Sequence, residues 1–161
     1  MENIVIIGFM GSGKSSVGKE LAKYTQKQFL DSDLFISNQE GLSISEIFNS
    51  RGEAYFRELE RDFIHWVQKN IFGAVIATGG GMPIFNDISK LGMVVYLKID
   101  FDEIKKRLHP DEIKKRPLLE NMHQAKRLYQ ERERIYQRVA NKIVDADAPI
   151  EKIIKEILNL V

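Results

Sequence analysis

Gly8-Phe9-Met10-Gly11-Ser12-Gly13-Lys14-Ser15 fits the pattern G-x-x-x-x-G-K-[ST]. The run before it, Asn3–Ile7, is apolar, rich in Ile and Val, and stopped by glycine, which reads as a buried strand. After it, Lys14–Thr25 has helical spacing, with Val17, Leu21, Ala22 and Tyr24 available for packing. Strand, glycine loop and helix in that order make an anion cradle. The glycines let successive backbone N–H groups turn inward around phosphate oxygens. The helix N-terminus adds its partial positive charge. The nucleotide contacts expected from this stretch are Gly11, Ser12, Gly13, Lys14, Ser15 and Ser16. Lys14 would reach the β- and γ-phosphates of ATP, and the Ser15 hydroxyl would be a ligand for Mg²⁺.

Outward from the loop, strands and helices alternate. Gln28–Leu30 reads as a short strand ending at Asp31. Ser43, with Glu46 three residues on, makes a capping box for a helix through Ser50. Phe56, Leu59, Phe63, Trp66 and Val67 recur at three- and four-residue intervals, the mark of a longer helix after Gly52. Ala74–Thr78 and Met93–Ile99 are further buried strands. Asp100 is placed to cap a helix through Leu108. His109–Leu119 is polar, basic and punctuated by proline, and reads as a loop. Asn121 opens a helix to Ala140, Lys142–Asp145 is a last strand, and Pro149–Leu160 is a closing amphipathic helix. This alternation implies an α/β fold with a parallel sheet covered on both faces. At 161 residues the chain is expected to form one domain.

Three acids end strands and are candidates for a second Mg²⁺ group: Asp31, Asp100 and Asp145. Asp100 also reads as an N-cap. In Asp31-Ser32-Asp33, residues two apart in extended chain project to one side. The two carboxylates would then meet at the carboxyl edge of the sheet, where ligands sit in open α/β folds. One would hold Mg²⁺ while the other accepts a proton from an attacking hydroxyl. Arg132 falls on the apolar stripe Ala125, Leu128, Ile135 and Val139, where a charge needs a partner. Arg57 lies beside Phe56 on the buried side of its helix, with Glu60 one turn on to orient it. Guanidinium forks suit a carboxylate ligand. Gly79-Gly80-Gly81 directly follows a strand and lets a ligand press on the backbone. Lys114-Lys115-Arg116-Pro117 lies in the basic loop, where a lid would bring Arg116 to a transferring phosphoryl group.

Composition excludes several classes. The chain has no cysteine, so disulfides and thiolate metal sites are ruled out. Its three histidines show no metal-ligand spacing. No membrane span or secretory signal is legible, which leads to the expectation of a cytoplasmic protein. Net charge is +1, against a general polyanion binder. Residues 98–142 carry 13 Lys/Arg against 8 Asp/Glu, and the remainder 11 against 15. A basic part beside an acidic one suits a single anionic ligand. No aromatic stacking platform interleaves the basic residues, so nucleic acid is not an expected partner. A single compact domain suits a monomer.

Taken together, these residues resemble the shikimate kinase family. The resemblance rests on Gly8–Ser15, Asp31-Ser32-Asp33, Phe56-Arg57-x-x-Glu60, Gly79-Gly80-Gly81, Arg116-Pro117-Leu118-Leu119 and Tyr129-x-x-Arg132-x-x-x-Tyr136, and it covers essentially the whole chain. It implies a five-stranded parallel sheet flanked by helices, a P-loop fold like that of the nucleoside monophosphate kinases. It implies Mg·ATP-dependent phosphorylation of the 3-hydroxyl of shikimate. Asp33, Arg57, Gly79, Gly80, Gly81 and Arg132 would then bind shikimate, with both arginines on its carboxylate and Asp33 on the reacting hydroxyl. Lys14 and Arg116 would stabilise the phosphoryl group, Ser15 and Asp31 would organise Mg²⁺, and Arg107 would lie against adenine. Residues 33–61 would be a substrate-binding lobe and 108–119 a lid. Two features depart from the family pattern: a longer stretch between Arg107 and Arg116, and no basic residue in Asp145–Pro149. Gluconate or nucleoside monophosphate kinases share the loop and sheet. The acid pair, Arg57, the glycine triplet and Arg132 argue against them.

Overall fold

The computed structural model describes residues 2–114 and 119–161. The chain runs β1 (Ile4–Ile7), α1 (Lys14–Thr25), β2 (Phe29–Asp31), α2 (Ser32–Glu40), α3 (Ile44–Arg51), α4 (Glu53–Asn70) and β3 (Val75–Ala77). It continues through α5 (Met82–Phe85), β4 (Met93–Lys98), α6 (Phe101–Arg107), α7 (Pro110–Lys114), α8 (Met122–Val139), β5 (Lys142–Asp145) and α9 (Ile150–Leu160).

The five strands form one sheet in the order β2-β3-β1-β4-β5, every pairing parallel. β1 is central because Ile4–Ile7 is apolar throughout, so either face can be covered; all four residues are buried. Helices α1 and α9 pack together, and α8 packs on β4 and α5. In register, Ile6 and Asp31 both lie opposite Ala77, and Ile7 opposite Tyr96. The segments that follow these positions therefore leave the sheet at one edge. They are the phosphate loop, Ser32 onward, and Thr78–Gly81. The chain fills the sheet on one side of β1 with β2 and β3 and then on the other with β4 and β5, and such a switch point opens a crevice for ligands.

Three expectations change. Tyr24 does not pack; it is 76% exposed, and the buried face of α1 is Val17, Gly18, Leu21 and Ala22. Gly18 belongs there because the Phe29 ring occupies the place of a side chain. The stretch read as a loop from His109 contains α7, opened by Pro110 and charged in the sense a helix dipole favours, Asp111 and Glu112 first and Lys114 last. The deep stripe of α8 is Ala125, Tyr129, Arg132 and Tyr136, with Leu128, Ile135 and Val139 half-buried at its margin. Among the described residues no helix is long and apolar enough to cross a membrane.

Candidate active site

A cavity of about 720 Å³ opens at the carboxyl edge of the sheet. Its floor is the phosphate loop and the glycine strip Gly79–Gly81, and its walls come from α2, α3, α4 and α8. Gly11 and Gly13 hold φ of 82° and 91°, the left-handed conformation that turns backbone N–H groups toward one centre. The Lys14 ammonium folds back over the loop and donates to the carbonyls of Gly8 and Phe9, at 2.9 and 3.0 Å. Gly13, Lys14, Ser15 and Ser16 line the cavity with Gly11, while Ser12 is buried beneath it.

Asp31 and Asp33 both line the cavity, but not as an extended pair. Asp31 ends β2 and caps α2, its Oδ1 accepting from the N–H groups of Asp33 and Leu34 at 3.1 and 3.2 Å. Asp33 therefore stands in the first helical turn. A cap beats the extended reading because α2 needs its orphan amide protons satisfied. Asp31 Oδ2 meanwhile accepts from the Ser15 hydroxyl at 2.6 Å. That puts two hard oxygen ligands side by side at the phosphate loop, a donor set that fits Mg²⁺. Among the described residues no group of three or more His, Cys, Asp or Glu is arranged to hold a metal. Water and phosphate oxygens would complete the shell, as is usual for this ion. Asp100 caps α6 without a side-chain bond, and Asp145 accepts from the Asp147 N–H at 2.9 Å.

The glycine strip is a fitting surface for three side chains. A Cβ on Gly79 would lie 2.5 Å from Asp33 Oδ1, one on Gly81 would lie 2.5 Å from Arg57 Nη1, and one on Gly80 3.5 Å from Arg132 Nη1. The strip is held from both sides: Gly79 N–H donates to Ser32 Oγ at 2.8 Å, and the Tyr136 hydroxyl donates to the Gly80 carbonyl at 2.6 Å.

Both arginines are buried, 8% exposed at Arg57 and 6% at Arg132. Arg57 Nη1 donates to Glu60 at 2.6 Å and Nη2 to Glu53 at 3.2 Å. Burial pushes the Glu60 carboxyl up to about 7, with the Arg57 charge pulling the other way. Arg132 has no carboxylate within ion-pair distance among the described residues, and its Nε finds no acceptor there. Glu60 is near enough to feel the Arg132 charge but makes no ion pair with it, and a buried cation so weakly compensated is costly. An anionic ligand would supply a counter-charge.

Arg107 lies outside this cavity. Its guanidinium donates to Ala146 O and Asp147 Oδ1, both at 3.2 Å, joining α6 to the segment after β5. Arg116 lies outside the described residues. The reading of single motifs missed the wall of α3, where Ile44 with Phe48, and Ser45 with Asn49, line the cavity at i, i+4 spacing. That periodicity is visible in the sequence, but nothing there says which face meets a ligand. Glu112 of α7 also reaches the cavity.

A family model for shikimate kinase matches residues 10–161. The shikimate kinase of Helicobacter hepaticus is 47% identical over 158 residues, covering 98% of this chain and 95% of that protein. The crystal structure of shikimate kinase from Aquifex aeolicus superposes with a TM-score of 0.82 at 37% identity, covering 98% of this chain and 94% of that one. Shikimate kinase from Acinetobacter baumannii in complex with shikimate gives a TM-score of 0.89 at 31% identity, covering 99% and 92%. With the family model matching residues 10–161 and a relative 47% identical across 98% of its length, the chain belongs to the shikimate kinase family.

Proposed function

We propose that the cavity holds shikimate against the γ-phosphate of Mg·ATP and yields shikimate 3-phosphate and ADP. The observation that carries this reading is Arg132, a buried cation beside Gly80 with no carboxylate within ion-pair distance among the described residues. A carboxylate ligand between Arg132 and Arg57 would neutralise it and use the guanidinium fork. Gly79, Gly80 and Gly81 would let the substrate ring approach the backbone. Asp33 would hold the 3-hydroxyl. Its oxygen attacks the γ-phosphorus, a new O–P bond forms, the bond to the β,γ-bridging oxygen breaks, and the hydroxyl proton passes to Asp33.

Gly11, Ser12, Gly13, Lys14, Ser15 and Ser16 would cradle the nucleotide phosphates, and Lys14 and Arg116 would meet the charge spread over the transferring group. Ser15 and Asp31 would hold Mg²⁺, which would supply positive charge against the phosphates. Arg107, tethered to residues 146 and 147, would form one side of the adenine site. Residues 33–61 act as the substrate-binding lobe of a single domain, and 108–119 as a lid. Leu108 and Leu119 are buried while Pro110, Asp111 and Glu112 are exposed, an arrangement suited to a segment hinged at both ends. A monomeric cytoplasmic enzyme completes the reading, with no nucleic acid or membrane partner.

The test is ADP release from Mg·ATP by the purified protein with shikimate, with gluconate, and with neither. Turnover that depends on shikimate alone is expected. ATP binding without stimulation by shikimate would leave the phosphate loop in place and overturn the assignment of Asp33, Arg57 and Arg132.

A further inference from the structure

Phe85 is the last residue of α5 and is 50% exposed. It does not line the cavity, so it is not a substrate contact. Its ring centroid stands 4.2 Å from Arg57 Cζ, nearer than the rings of Phe56 at 5.2 Å and Phe48 at 5.9 Å. The approach depends on the turn between them. Phe85 N–H donates to the Gly81 carbonyl at 3.1 Å, so the two residues are one helical turn apart. Gly81 lacks the Cβ that would block Arg57, and Phe85 receives the guanidinium one turn later.

The acids hold Arg57 in its own plane, Glu60 at Nη1 and Glu53 at Nη2. Two in-plane bonds leave the tilt of that plane weakly fixed. A ring over the face fixes it and excludes water from that side. Nε has no acceptor among the described residues, and these two bonds use only two of the five N–H donors, so the fork keeps donors for a ligand. We infer that Phe85 is a positioning residue for the substrate carboxylate: its ring sets the plane of Arg57, and Arg57 makes the contact. This rests on the reading of Arg57 as a shikimate ligand.

The experiment is steady-state kinetics and calorimetric shikimate binding for Phe85→Leu, Phe85→Ala, Phe85→Tyr and Phe85→Trp, with Arg57→Lys alongside. The Leu and Ala variants are expected to raise the shikimate KM and Kd about 3-fold to 10-fold, with kcat and the ATP KM within about 2-fold of wild type, while Tyr and Trp restore binding. Leu keeps apolar bulk without a π face, so it stays informative if Ala proves unstable. Wild-type binding in Phe85→Leu, or equal losses in Leu and Tyr, would overturn the inference while Arg57→Lys still impairs binding. Wild-type binding in Arg57→Lys would instead remove the carboxylate site itself, and the role of Phe85 with it.

Discussion

Asp33 and Gly79 fit together only because residue 79 has no side chain: a Cβ there would lie 2.5 Å from Asp33 Oδ1. Asp33 has little room to yield by moving its backbone, which is tied to Asp31 by the helix cap. Gly79→Ala should therefore rotate the carboxylate away from the reacting hydroxyl. Misplacement of a catalytic group by about 1 Å costs on the order of 100-fold, and kcat/KM for shikimate should fall by roughly that factor. ADP binding at the phosphate loop should be unchanged, since Gly79 is not part of it. Kinetics with fluorescence titration of ADP separates the two, and an unaltered kcat/KM would place the catalytic base elsewhere.

Arg132 makes the opposite kind of prediction, a trade between stability and function. Replacing a buried charge that makes no ion pair by an apolar side chain of similar length is neutral or stabilising by about 1–3 kcal/mol. Arg132→Met should therefore hold or raise the midpoint of thermal unfolding of the ligand-free protein. It should also remove a charge-assisted bond to the substrate, raising the shikimate KM by about 10-fold to 100-fold. A lowered midpoint with normal KM would make Arg132 a structural strut.

How much of this was legible in the sequence depends on whether local chemistry or tertiary packing decides each element. α1 announces itself because the phosphate loop must end in a helix, and its bounds agree with the sequence pattern. α8 is capped as its Asn121 suggests, with Oδ1 accepting from His123 and Gln124 N–H. α2 is hidden: only Ser32 and Ile36 of its nine residues are buried, so no apolar period marks it. Its existence turns the Asp31 and Asp33 pair from an extended motif into a cap and a first-turn residue, yet both still reach the cavity. The tyrosines of α8 fall outside the apolar stripe legible in the sequence, yet both are core. Tyr129 bonds Ile99 O at 2.7 Å and Tyr136 bonds Gly80 O at 2.6 Å, partners that are remote in sequence. The two buried arginines were legible as anomalies, because a charge on an apolar stripe violates local logic and needs an outside reason.

Glu60 gives a pH dependence whose sign is fixed by its burial. Its carboxyl rises from 4.5 to about 7 on folding, with burial as the main cause and Arg57 opposing. A raised folded value means that folding takes up a proton. The stability from this group is therefore full below about pH 4.5 and is lost as pH climbs through about 7, at most about 3 kcal/mol. In the ligand-free protein, the free energy of urea unfolding should fall more steeply between about pH 5 and pH 8 in wild type than in Glu60→Gln, which cannot titrate. Parallel curves for the two proteins would show that Glu60 stays ionised throughout.

Asp31 divides its two oxygens between two tasks, and one substitution separates them. Oδ1 caps α2, while Oδ2 accepts from Ser15 beside the phosphate loop. Asparagine is as good an N-cap as aspartate, so Asp31→Asn should keep α2 and the unfolding midpoint. It replaces a charged oxygen by an amide on the metal side, and the Mg²⁺ concentration for half-maximal activity should rise about 10-fold to 100-fold. Asp31→Ala loses both tasks and should add a stability loss of about 1 kcal/mol from the missing cap. Magnesium titrations of activity, paired with thermal unfolding of the three proteins, check both halves. An unchanged Mg²⁺ requirement in Asp31→Asn would confine Asp31 to capping, and would direct the search for the second metal ligand to the other strand-ending acids, Asp100 and Asp145.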